Sequence, residues 1–299
     1  MKERDFLSIR DLSKGEIDQI FERARAFKRG NVRQGLVSKS IVLVFEKAST
    51  RTRISFEVGI ARLGGHPIVL TPEASQMVRG EPLKDTARIL ARYCDGIVMR
   101  TYSHAKVEEM AHYADVPVVN ALTDLLHPCQ VLSDCFTLME HFGTLADKKV
   151  AWIGDGNNMA NSWINAAAVL GFELMLACPQ GYAPDTTIFE RAIADGARVR
   201  VMREPHAAVQ GAIAVNTDVW ASMGQEQEAL KRAEAFKGFQ VDAALMEKAL
   251  RDAVFLHCLP AHRGEEVTEE VLESPWSIVW DQAENRLYVQ EAIMDFLIG

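Results

Sequence analysis

Two spacings of apolar positions alternate along the chain. Ile17, Ile20, Phe21, Ala24 and Phe27 share one helical face behind Ser13 and Glu16, which read as a capping box, and Gly30 ends the segment. Residues 41–45 then form a short, unbroken, mostly β-branched run, the pattern of a strand covered on both faces. A helical pattern follows over 51–63 until Gly64 and Gly65 stop it. The alternation recurs as strand 66–70, a helix from Pro82, strand 96–100, helix 104–114, strand 116–120 and helix 130–142. Strands separated by helices of this length predict a parallel sheet.

The polar stretch 143–149 interrupts this series, and a second one begins with strand 150–153, helix 159–170 and strand 173–177. Further strands are expected at 199–202, 212–215, 254–258 and 278–280, and a helix at 283–297. The predicted fold is therefore α/β, with two open parallel-sheet domains, 1–142 and 143–282, joined by interdomain helices. The C-terminal segment 283–299 is expected to pack back on the first domain. Sheets of this kind bind ligands at the carboxyl ends of their strands, so an interdomain cleft facing those ends is the expected site. A length of 299 residues fits two domains of roughly 150 residues each.

Composition narrows the class. With 48% hydrophobic and 25% charged residues the chain is neither disordered nor fibrous. Its net charge of −8 argues against nucleic acid or an anionic membrane as a general partner. No apolar run approaches the ~18 residues of a membrane helix, and the opening Met-Lys-Glu-Arg-Asp-Phe lacks a secretory stretch, so a cytoplasmic location is expected. Cys94, Cys129, Cys135, Cys178 and Cys258 contain no C-x-x-C pair and read as reduced thiols, mostly in the core, rather than a disulfide framework or a zinc site.

The chemistry lies at strand ends. Ser49, Thr50, Arg51, Thr52 and Arg53 follow strand 41–45 and open a helix, where N–H groups, hydroxyls and guanidinium groups converge on an anion. The plainer alternative is that a hydroxyl merely caps the helix. Arg100 ends the next strand, and His127 with Gln130 follows the one after, offering donors to a developing oxyanion. In the second half Gly154-Asp-Gly-Asn-Asn158 invites a dinucleotide reading, but the third small residue comes late, at Ala160. The following strand also ends in Cys178-Pro179-Gln180 without the acid that would hold a ribose, and Asp155 would sit where pyrophosphate belongs. Asn158 is read as a polar group for a small ligand and Asp218 as a carboxylate for a substrate ammonium. Cys258, between His257 and Leu259-Pro260, is either a cleft thiol or a core residue.

Together Ser49-Thr-Arg-Thr-Arg53, His127-Pro-Cys-Gln130, Asp218-x-x-x-Ser222-Met-Gly224 and His257-Cys-Leu-Pro260 resemble, in order and spacing, the signature segments of the ornithine carbamoyltransferases. The resemblance implies that Ser49, Thr50, Arg51, Thr52, Arg100, His127, Gln130 and Arg286 hold carbamoyl phosphate, with Gln76 lent by a neighbouring subunit of a homotrimer. It implies that Asn158, Asp218, Ser222 and Met223 bind ornithine. It further implies that Cys258 and the Leu259 carbonyl meet the reacting amine beside the carbamoyl group, with Cys258, Arg100 and His127 as the catalytic set. It implies no metal and no cofactor, a carbamoyl phosphate domain over 1–142 and an ornithine domain over 143–282. Arg79 stands where the aspartate branch carries a lysine before Gly-Glu, which disfavours aspartate as the amine.

Overall fold

The computed structural model describes residues 4–47, 49–71, 80–221 and 228–299. Gln76, Ser222 and Met223, all expected in the site, lie outside them. The chain forms two compact units, residues 1–133 with 285–299, and residues 134–284.

In the first unit Ser13 accepts from the Glu16 N–H and Glu16 answers at the Ser13 N–H, so the capping box opens α1 (Lys14–Lys28) as read. There follow β1 (Ser40–Phe45), α2 (Arg51–Arg62), β2 (His66–Leu70), α3 (Leu83–Tyr93), β3 (Gly96–Arg100), α4 (His104–Tyr113) and β4 (Val118–Leu122). The strands are all parallel in the order β2-β1-β3-β4. β1 and β3 lie inside the sheet and are buried nearly throughout, which is why their sequences are continuous apolar runs rather than alternating ones.

The chain passes into the second unit within α5 (Pro128–Phe142), ahead of the polar stretch at 143–149. The second unit contains β5 (Lys149–Ile153), α6 (Asn158–Leu170), β6 (Glu173–Ala177), α7 (Thr186–Ala194), β7 (Val199–Met202), α8 (Pro205–Val209), β8 (Ala214–Thr217), α9 (Ala229–Ala235), α10 (Ala243–Met246), β9 (Val254–His257) and α11 (Glu269–Leu272). Its sheet is also parallel throughout, in the order β7-β6-β5-β8-β9. Ala151, Ile153, Val215 and Phe255 pack from it against Phe236, Val241 and Val271. The chain then returns to the first unit within α12 (Val279–Leu297). No helix among the described residues is long and apolar enough to cross a membrane.

One expected strand is absent. Ile278 lies in neither strand nor helix and residues 279–280 begin α12 instead, while the sheet-like feature next to them among the described residues is an isolated bridge between Ser277 and Phe255. A three-residue apolar run has no periodicity that separates strand from helix.

α12 packs closely on α2 in the first unit. A β-carbon at Gly59 would lie 2.9 Å from Glu291 Cγ, and Glu291, fully buried, pairs with Arg62 at 3.1 Å. Burial pushes the Glu291 carboxyl up to about 7, against the pull of Arg62. The folded carboxyl thus holds its proton to higher pH than the unfolded one. The stability it contributes is complete below its ordinary value of 4.5 and is lost as pH rises through about 7. Glu291→Gln is expected to flatten that slope, by up to ~3 kcal/mol between about pH 4.5 and pH 8. Thermal melts of both proteins across that range check it, and parallel slopes would refute it.

Candidate active site

Each parallel sheet has one place where the strand order reverses direction, and the crevice beyond the strand ends there is where such sheets hold ligands. In the first unit it falls between β1 and β3, and in the second between β5 and β8.

At the first, Arg100 ends β3 opposite Phe45, and its register with β4 slips between Met99 and Arg100. A bulge of this kind re-aims the side chain it carries. Arg100 Nη1 donates to Thr52 Oγ1 at 3.3 Å, and Arg286 Nη2, from α12, donates to the same oxygen at 2.8 Å. Two buried guanidinium groups therefore meet at one hydroxyl in the first turn of α2, beside its unpaired N–H groups. His127 is buried with them. Burial holds its imidazole well below the ordinary histidine range, and the charges of Arg286 and then Arg100 lower it further, so it is neutral near pH 7. Gln130 is buried in the first turn of α5. Thr50 occupies the N-cap of α2 but makes no side-chain capping bond, so its hydroxyl is not spent on ending the helix. Arg51 is exposed, Ser49 is half-buried, and Arg53 pairs with Glu57 along the helix.

At the second, Asn157 caps α6, its Oδ1 accepting from Met159 N at 2.9 Å and Ala160 N at 3.3 Å. Its Nδ2 donates to Asp218 Oδ2 at 2.8 Å. The other Asp218 oxygen accepts from Val219 N at 2.8 Å and from the Cys258 thiol at 3.1 Å. Asp218 and Cys258, forty residues apart, are thus brought together by adjacent β8 and β9. Asn158 follows at the start of α6, half-buried. Cys258 is half-buried too, whereas Cys94, Cys129, Cys135 and Cys178 are buried. Burial pushes the thiols of Cys129 and Cys178 up to about 12, so they are inert core groups.

Beneath Cys258 lies an arrangement that no local sequence signal announces. Leu259 has a left-handed backbone, φ 57°, and its N–H donates to His257 Nδ1 at 2.9 Å. Nδ1 accepts, so the ring proton is on Nε2, which faces Glu266 Oε1 at 3.1 Å. The same carboxylate oxygen accepts from His262 N at 2.6 Å, while the His257 N–H donates to Gln282 Oε1 at 2.9 Å. Asp218, His257 and Cys258 lie close enough together for a metal ion, but both nitrogens of His257 are already committed.

The glycine-rich turn after β5 has its own explanation. A β-carbon at Gly156 would lie 2.2 Å from the Ala183–Pro184 peptide, and Asp155 pairs with Arg232. Gly156 serves a backbone crossing there.

Two family models match the chain. One, described as the carbamoyl-P binding domain of aspartate/ornithine carbamoyltransferase, covers residues 4–140, and the other, its Asp/Orn binding domain, covers 146–297. The chain belongs to the aspartate/ornithine carbamoyltransferase family. Among relatives in this family, the ornithine carbamoyltransferase of Geobacter metallireducens is 54% identical over 300 residues, covering 99% of both chains. That of Nitratidesulfovibrio vulgaris strain DP4 is 55% identical over 298 residues, covering 98% of both. Among solved carbamoyltransferase structures, the ornithine enzyme of Pyrococcus furiosus superposes with a TM-score of 0.95 at 46% identity, covering 99% of this chain and 97% of that one. The anabolic ornithine enzyme of Campylobacter jejuni gives 0.93 at 41%, covering 98% of both.

Proposed function

We propose that this protein transfers the carbamoyl group of carbamoyl phosphate to the side-chain amine of L-ornithine, giving L-citrulline and phosphate. The observation that carries the reading is the meeting of Arg100 and Arg286 on Thr52 beside a neutral His127. Two fixed cations at a helix N-terminus suit a phosphate dianion, and a neutral imidazole can donate to a carbonyl oxygen as charge develops on it. Ser49, Thr50, Arg51 and Gln130 complete the phosphate and carbamoyl contacts. Asp218, supported by Asn157, takes the α-ammonium of ornithine, together with Asn158, Ser222 and Met223.

The amine nitrogen attacks the carbamoyl carbon directly, the C–O bond to phosphate breaks, and the departing phosphate accepts the amine proton. No covalent enzyme intermediate is needed. A free alkyl amine titrates near about 10.4, so only about one molecule in 10³ is neutral at pH 7. Cys258 and the Leu259 carbonyl, held by His257 and Glu266, meet the amine as it loses its proton. The reading extends to a cytoplasmic homotrimer in which Gln76 of one subunit reaches the carbamoyl phosphate of the next.

Citrulline formation measured in parallel with ornithine, aspartate, putrescine and N-acetylornithine tests the proposal. Ornithine is expected to give the highest kcat/KM, and a higher value for any of the others would refute the amine assignment.

A further inference from the structure

Asp155 has no part in the chemistry above, yet it is buried and faces a partner just as buried. Arg232, on α9, donates from Nη1 to Asp155 Oδ2 at 2.8 Å and to the Trp220 carbonyl at 2.7 Å, with its Cζ 4.8 Å from the Tyr182 ring centre. The pair therefore joins two turns. One follows β5 and carries Asp155, Asn157 and Asn158, and the other follows β8 and carries Asp218 and Trp220. Further contacts hold the same corner: Trp152 Nε1 donates to the Asp155 carbonyl at 2.9 Å, and Gly156 N donates to the Tyr182 carbonyl at 2.9 Å.

A buried ion pair is a poor source of net stability, because desolvating both charges offsets most of their attraction, and apolar residues of similar size often serve as well. What such a pair does supply is fixed relative position. We infer that Asp155 and Arg232 are positioning residues for amine-substrate binding, locking the turn that holds Asn157 to the turn that holds Asp218. This rests on the reading of Asp218 as an ornithine ligand. Burial pushes the Asp155 carboxyl up, Arg232 draws it down, and the nearby Asp218 charge pushes it up again to a smaller degree. Arg232 thus also cancels a negative charge that would otherwise act on Asp218.

Two variants separate position from stability. Arg232→Met leaves Asp155 buried without its cation and is expected to lower Tm and raise the ornithine KM at least about tenfold. Asp155→Asn combined with Arg232→Met removes both charges. Its Tm is expected to recover toward wild type while the ornithine KM stays raised and the carbamoyl phosphate KM stays within about twofold. Arg232→Lys, which keeps the cation, is expected to fall between wild type and Arg232→Met in ornithine KM. If the double variant regains the wild-type ornithine KM, or if both KM values rise together, the positioning role is wrong. The two ideas fail differently. Wild-type protein that makes no citrulline from ornithine overturns the proposed function, whereas active wild type with unchanged ornithine KM in every variant overturns the pair alone.

Discussion

Arg286→Ala and Arg100→Ala are each expected to weaken carbamoyl phosphate binding by about 100-fold or more, close to 3 kcal/mol, because each removes a charge-assisted contact to a dianion. The expected effect on stability has the opposite character. Arg100 and Arg286 are like charges that donate to the same Thr52 hydroxyl, so removing one relieves repulsion in a buried place. The ligand-free Tm should stay within a few degrees of wild type, or rise. Calorimetric titration with carbamoyl phosphate and thermal melts of the free proteins provide both numbers. Unchanged affinity with a lowered Tm would return these arginines to a structural role. Arg51 offers a milder comparison, since it is exposed at the head of α2.

Cys258→Ser is expected to keep the fold and carbamoyl phosphate affinity while lowering kcat/KM for ornithine by about 10- to 100-fold. Hydroxyl and thiol are similar in size but differ widely in acidity, and the thiol donates to Asp218 at the end of β9. Because Cys258 is half-buried where the other cysteines are buried, mild alkylation should mark it first. Carbamoyl phosphate and ornithine together should protect it. Peptide mapping with and without both ligands decides the matter: labelling of Cys258 that ignores the ligands would remove it from the site.

Much of the architecture was legible because parallel strands buried on both faces leave continuous apolar runs, as β1, β3, β5 and β6 do. Boundaries suffered where polar residues finish a buried strand. β8 runs two residues past the apolar run at 212–215 because Asn216 and Thr217 are buried in the sheet. The short helices α8, α10 and α11 are one turn or little more, too brief to show a period. Among the candidate residues, Arg100, His127, Asp218 and Cys258 were singled out by their places after strands, whereas their roles, and Arg286 altogether, came from the family resemblance. The structure groups Thr52, Arg100, His127 and Arg286 in one cluster and Asp218 with Cys258 in another. Asn157 carried a usable signal as an amide ahead of a helical run, which marks an N-cap. Glu266 and Arg232 carried none. Arg232 meets Asp155 across 77 positions of sequence, and no local spacing records such a pairing.

The return of the chain through α12 sets an order in time. A growing chain on the ribosome that has reached Glu284 already contains every strand of both sheets, yet it lacks Arg286, the donor that meets Arg100 on Thr52. The first sheet can form early, but the cluster of Arg100, Thr52 and Arg286 is assembled only once α12 has been made. Ligand binding can stabilise only a state that binds ligand, so on the proposed reading carbamoyl phosphate protects that nascent intermediate far less than the finished chain. The unit that begins the chain is then also the last to be completed.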